Sequence, residues 1–168
     1  MGILNENMIK LLNYRIEQEE YSSRLYQAIS VCMNYKGYTG ASKLFDIYSK
    51  EELLHAKIAY EYLLDLDIRP IVPAIKAPPA EFDSLPQVLL MAYEHEKEIT
   101  NQCNELAKSA IDEGDFMTLG LAQRYLKEQI EEEAKTNYWL NRLDVLGGEE
   151  ACSNEGLFLL DKEMKHKS

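Results

Sequence analysis

The chain has 168 residues, of which 46% are hydrophobic and 28% charged; this is enough for one substantial core and excludes a disordered polymer. Asp and Glu number 29 against 18 Lys and Arg, a net charge of −11, so the surface attracts cations and repels nucleic acid. No stretch reaches the roughly 18 uncharged apolar residues of a membrane span. The first ten residues lack the basic-then-apolar pattern of a secretion signal, so the expectation is a cytoplasmic protein with neither a membrane nor a nucleic-acid partner.

Glycine and proline divide the chain into long pieces. The first predicted helix covers about residues 5–35 and ends at Lys36-Gly37. The second covers about 41–66. Pro70, Pro73, Pro78 and Pro79 mark the stretch after it as a connection. The third, about 84–113, opens with Ser84 as N-cap and Pro86 in its first turn. The fourth, about 115–146, stops at Gly147-Gly148. A tail with Leu157-Phe158-Leu159-Leu160 predicts a short fifth helix at about 157–164. Cys32, Cys103 and Cys152 are odd in number and widely spaced, which reads as thiols in a reducing compartment.

The connections set a topology. Short turns make helices one and two, and helices three and four, antiparallel hairpins. The second link, about 17 residues, reaches more than roughly 50 Å when extended. A helix of about 28 residues is only roughly 42 Å long. The link therefore runs the length of the bundle and leaves helices two and three parallel. The expectation is an all-α fold, a single domain over residues 1–168, with one long crossover.

Each helix carries an apolar stripe at alternating spacings of three and four. Helix one gives Leu12, Ile16, Glu19, Ser23, Tyr26, Ser30 and Met33. Helix two gives Phe45, Tyr48, Glu52, His55, Ala59, Tyr62 and Leu66. Helix three gives Leu85, Val88, Ala92, Glu96, Ile99, Cys103 and Leu106, and helix four gives Ala122, Tyr125, Gln129, Glu132, Thr136, Trp139 and Leu143. Every stripe is interrupted near its middle by a side chain able to bind metal. An unpaired buried carboxylate is unfavourable, but several together are tolerable around a multivalent cation. Counted along antiparallel helices, the four interruptions fall within about 8 Å of one depth.

Glu52-Leu53-Leu54-His55 is a Glu-x-x-His, which puts two ligands on one helix face. Di-iron bundles combine two lone Glu residues with two such pairs. Glu19 and Glu96 are the lone residues here, and helix four offers Gln129-x-x-Glu132 in place of the second pair. With Glu19-Glu20-Tyr21-Ser22-Ser23-Arg24-Leu25-Tyr26, Glu51-Glu52-x-x-His55-Ala56, Ala92-Tyr93-Glu94-His95-Glu96, Glu128-Gln129-Ile130-Glu131-Glu132-Glu133, and Gly156-Leu157-Phe158 through Asp161-Lys162-Glu163, the chain resembles the bacterial non-haem ferritin family along almost its whole length.

That resemblance implies a ferritin-like four-helix bundle that stores iron and works as a ferroxidase, oxidising Fe(II) with O2 or peroxide. One iron would take Glu19, Glu52 and His55. A second would take Glu52, Glu96 and Gln129, with Glu132 nearby. A looser third site would use Glu51, Glu128 and Glu131. Tyr26 matches the family's tyrosine beside the di-iron centre, a candidate electron donor. The family assembles as 24-subunit hollow shells, with the tail helix lining the fourfold axis. Docking of that helix on its own bundle is the alternative. Leu53 stands where bacterioferritins carry their haem-binding methionine, so no haem is expected. Arg124 stands where many members have tryptophan. His95 and His166 read as surface histidines.

A carboxylate-rich set with one imidazole suits iron without holding it as thiolates would. Two other functions share the pattern. A di-iron oxidase or oxygenase would need an apolar channel, against which Phe45, Tyr48, Tyr62 and Trp139 argue by their bulk. A non-enzymatic metal buffer would not need the complete ligand set.

Overall fold

The computed structural model describes residues 4–148 and 152–167. Among them are five helices: α1 (Glu6–Tyr35), α2 (Thr39–Asp65), α3 (Leu85–Asp112), α4 (Phe116–Val145) and α5 (Asn154–Lys167). None is long and apolar enough to cross a membrane.

The helix ends follow local chemistry. Asn5 caps α1 by accepting from Met8 N, and Ser84 caps α3 by accepting from Gln87 N. Asp115 is the cap of α4 rather than its first residue, and it accepts from Thr118 N. The helix starts at Thr39 in α2, two residues earlier than the sequence suggests, because Gly37 turns the chain at φ 92°. Gly114 and Gly147 supply the same left-handed turns after α3 and α4.

Two apolar clusters reveal the topology. One joins Leu25–Met33 of α1, Ala41–Tyr48 of α2, Leu85–Ala92 of α3 and Trp139 and Leu143 of α4. The other joins Leu4–Ile16 from the start of the chain, Ala59 and Leu63 of α2, Ile99–Ala110 of α3 and Leu121–Tyr125 of α4. The first halves of α2 and α3 thus meet the second halves of α1 and α4. Helices α2 and α3 are parallel, and residues 66–84 run the length of the bundle between them. The interrupted stripes lie between the two clusters, so the bundle holds a polar layer at mid-height.

The tail helix is longer than expected, because Ser153 Oγ accepts from Gly156 N and starts it early. It docks on its own bundle. Leu157, Leu160 and Met164 join the first apolar cluster. Asp161 Oδ1 accepts from Ala41 N at 2.8 Å, satisfying a free amide in the first turn of α2. The approach is so close that a Cβ on Gly40 would lie 1.8 Å from the Asp161 carbonyl oxygen. Glu163 accepts from Tyr138 and Arg142 of α4. The opposite face leaves Phe158 and Leu159 exposed.

A candidate metal centre between the two cores

The mid-height layer gathers Glu19 from α1, Glu52 and His55 from α2, Glu96 from α3, and Gln129 and Glu132 from α4. Glu19, Glu52 and Glu96 are each no more than 2% exposed. One ligand atom from each of Glu19, Glu52 and His55 lies within 4.8 Å of the other two. His55 Nδ1 is 3.3 Å from Glu52 Oε2 and 4.0 Å from Glu19 Oε2. Glu19 Oε2 is buried without a hydrogen-bond partner. An orphaned carboxyl oxygen facing a second carboxyl group and an imidazole nitrogen fits a cation, which would satisfy all three at once.

The other half of the layer is bound up more tightly. Tyr26 donates its hydroxyl to Glu96 Oε1. Gln129 Nε2 donates to Glu96 Oε2 at 3.1 Å and to the Glu96 carbonyl at 3.2 Å. Tyr125 donates to the His55 carbonyl at 2.8 Å, tying α4 to α2 beside the cluster. Tyr26 sits with Phe45 and Tyr48 at ring distances of 5.7 to 5.9 Å, so aromatic bulk fills the space next to the layer.

Burial governs the protonation of these groups. Burial, then the charges of Glu96 and Glu19, holds Glu52 well above the ordinary carboxylate range. Burial pushes Glu96 up to about 7, against the lowering effect of hydrogen bonds from Tyr26 and Gln129. Glu132 is raised by burial although Lys135 opposes the rise. Burial and the charges of Glu96 and Glu52 raise Tyr26 well above the ordinary phenol value, so it is a neutral donor. In the absence of a cation the layer retains protons, which an entering metal would replace.

Two fixed cations flank the layer, and the sequence patterns revealed neither. Arg15, 2% exposed, places Nε 2.9 Å from Glu19 Oε1, and its Nη1 reaches Gln102 at 3.2 Å. Lys135 places Nζ 3.0 Å from Glu132 Oε1 and 3.2 Å from Glu51 Oε2. Burial disfavours its charge, but hydrogen bonds and charges from Glu132 and Glu51 outweigh this and raise its pKa. Arg15 could have been found as a basic residue four positions before Glu19, beside the stripe.

The residues expected to form the looser site are dispersed among other partners. Glu51 pairs with Lys135. Glu128 lies 3.5 Å from both His55 Nε2 and Arg124 Nε. Glu131 is exposed. His166 is exposed as expected, but His95 is not a surface histidine. Its Nε2 lies 2.7 Å from Ser22 Oγ, and its ring packs against Tyr21 and Tyr26. Burial lowers its pKa to about 4. Cys32 and Cys103 are buried and Cys152 is partly buried.

Known proteins share this architecture. The family model described as a ferritin-like domain matches residues 9–146. A probable bacterial non-heme ferritin-like protein of Haemophilus influenzae is 36% identical over 166 residues, 99% of this chain and 98% of that protein. A bacterial non-heme ferritin of Escherichia coli is 35% identical over 162 residues, 96% of each chain. The open-pore ferritin of the archaeon Archaeoglobus fulgidus superimposes with a TM-score of 0.91 at 33% identity, covering 98% of both chains. With its polar mid-height layer and long crossover, the chain belongs to the bacterial non-haem ferritin family.

Proposed function

We propose that this protein is a ferroxidase and iron-storage subunit, which oxidises Fe(II) at the mid-height layer and deposits it as ferric oxyhydroxide. The observation that carries this reading is the buried, unpartnered Glu19 Oε2 beside Glu52 and His55. Iron is substrate here, and the protein supplies its binding positions.

The two positions are unequal. Glu19, Glu52 and His55 hold one Fe(II). Glu52 bridges to a second, which takes Glu96 and the neutral amide oxygen of Gln129, with Glu132 alongside. Gln129 brings no charge, so the second ion is held less firmly. Each Fe(II) gives one electron to O2 or peroxide, and hydrolysis of Fe(III) then releases protons. The Glu52 and Glu96 carboxyls, which favour their protonated forms when no cation is bound, exchange protons for metal at each loading. Tyr26, hydrogen-bonded to Glu96, is placed to give a further electron. To form a looser third position on the route out, Glu51 and Glu128 would exchange their partners Lys135 and Arg124 for metal beside the exposed Glu131.

Iron released in this way needs a compartment, so the subunit works as part of a cytoplasmic 24-subunit hollow shell, as its relatives' ferritin names suggest. Phe158 and Leu159 on the outer face of α5 are available for contacts between subunits. The aromatic packing of Tyr26, Phe45 and Tyr48 fills the space on that side of the layer, which argues against the oxygenase alternative. Oxygen uptake after anaerobic Fe(II) loading tests the reaction. A ferroxidase consumes O2 in proportion to Fe(II) without any organic substrate, and a protein that binds Fe(II) without consuming O2 is a buffer.

A further inference from the structure

Lys135 has no part in the reaction proposed above. It lies on α4 one turn beyond Glu132, and its stem reaches across to α2. Its ammonium sits 3.0 Å from Glu132 Oε1 and 3.2 Å from Glu51 Oε2. One fixed positive charge thus joins a carboxylate of the buried layer to a carboxylate of the looser cluster. The side chain is 39% exposed. It opens onto a cleft of about 350 Å³ among α2, α4 and α5, lined by Tyr48, Glu51, Tyr138 and Trp139 and by Lys167, whose ammonium lies 3.8 Å from the Tyr138 ring centroid. The stem therefore has room to move when the ammonium leaves its partners, with the charge turned to solvent and away from Lys167.

We propose that Lys135 is a tethered cation occupying the place of a metal ion between Glu132 and Glu51. A divalent ion and an ammonium cannot both use these two oxygens at such distances, because both need the same acceptor positions and like charges this close repel. Metal reaches the outer position only as Lys135 swings into the cleft. The centre therefore holds its inner ions firmly and its outer ion weakly, so that the outer position passes iron onward. This inference rests on reading Glu132 and Glu51 as residues that face metal.

Calorimetric titration of the metal-free, assembled protein with Zn2+ tests it, using the wild type, Lys135→Met and Lys135→Arg. Two ion pairs, one to the part-exposed Glu51 and one to the buried Glu132, disappear in Lys135→Met, so outer-site affinity should rise about tenfold. Lys135→Arg keeps the charge and should titrate like the wild type. Lys135→Gln gives the same comparison if methionine disturbs the packing of the stem. Equal outer affinities in all variants overturn the proposal, as does an equal gain in Lys135→Met and Lys135→Arg. A parallel titration of Glu52→Ala separates the two readings. Loss of inner uptake there, with no difference at Lys135, overturns the proposal alone. Inner uptake that survives Glu52→Ala overturns the reading of the centre, and the proposal with it.

Discussion

Replacing Arg15 by glutamine should expose the charge balance of the centre. Arg15 and Glu19 are 2% and 1% exposed, and their nearest charged atoms are 2.9 Å apart. At an effective dielectric constant of about 20, unit charges at that distance attract by roughly 6 kcal/mol. Part of this is returned, because the variant no longer buries a guanidinium whose Nη2 has no partner. Removing one member of a buried pair commonly costs about 3–5 kcal/mol. The lower end applies because of that relief. A loss of about 3 kcal/mol corresponds to roughly 6–12 °C in Tm for a protein of this size. Zn2+ supplies the missing positive charge, so the metal-loaded variant should recover more than half of the loss. Urea unfolding followed by far-UV circular dichroism, at one subunit concentration and with and without Zn2+, makes the comparison. An apo variant within about 1 kcal/mol of wild type, or an equal loss in both metal states, would refute the electrostatic role of Arg15.

Other substitutions test the remaining parts. His55→Ala should remove rapid Fe(II) oxidation while leaving the assembly intact, read by stopped-flow absorbance and light scattering; oxidation at the original rate would place the centre elsewhere. Glu96 has a folded-state pKa raised to about 7, against roughly 4.3 for an unfolded glutamate. The folded apo protein therefore binds the extra proton between these values, and the stability from Glu96 is lost as pH rises through about 7. Thermal unfolding of the apo protein from about pH 5 to pH 8 should show a steeper fall in wild type than in Glu96→Gln, and identical slopes would contradict the assignment. Gly40→Ala should release α5, because the new Cβ would meet the Asp161 backbone at 1.8 Å. Limited proteolysis between α4 and α5 reads that release, and resistance equal to wild type would show that the contact can relax.

The helices and their inward faces were legible because a period of 3.6 residues concentrates apolar side chains into stripes. All seven stripe positions named on α1, α3 and α4 are buried, and on α2 only His55, Tyr62 and Leu66 keep partial exposure. The interruptions were legible for the same reason, since a carboxylate among apolar neighbours stands out. What escaped were residues whose surroundings come from another helix. Arg15 lies beside the stripe and looks like a solvated base until α3 supplies Gln102 and Cys103 beside it. His95 precedes Glu96 and would face water on an isolated α3, but Tyr21, Ser22 and Tyr26 of α1 cover it. Lys135 follows the spacing of an ordinary surface pair with Glu132, and only the fold brings Glu51 within reach. The docking of α5 depends on the start of α2, which is 120 residues away along the chain.

The most direct test of the centre follows O2 consumption and iron retention together. Fe(II) is added in successive portions to the aerobic, assembled protein, and the iron sedimenting with it is measured after each. Continued O2 uptake, with soluble protein-bound iron rising far beyond the two ions per subunit proposed for the centre, is the expected result. Uptake that stops at about two ions per subunit, or iron that precipitates free of the protein, would contradict a centre that passes oxidised iron on to storage.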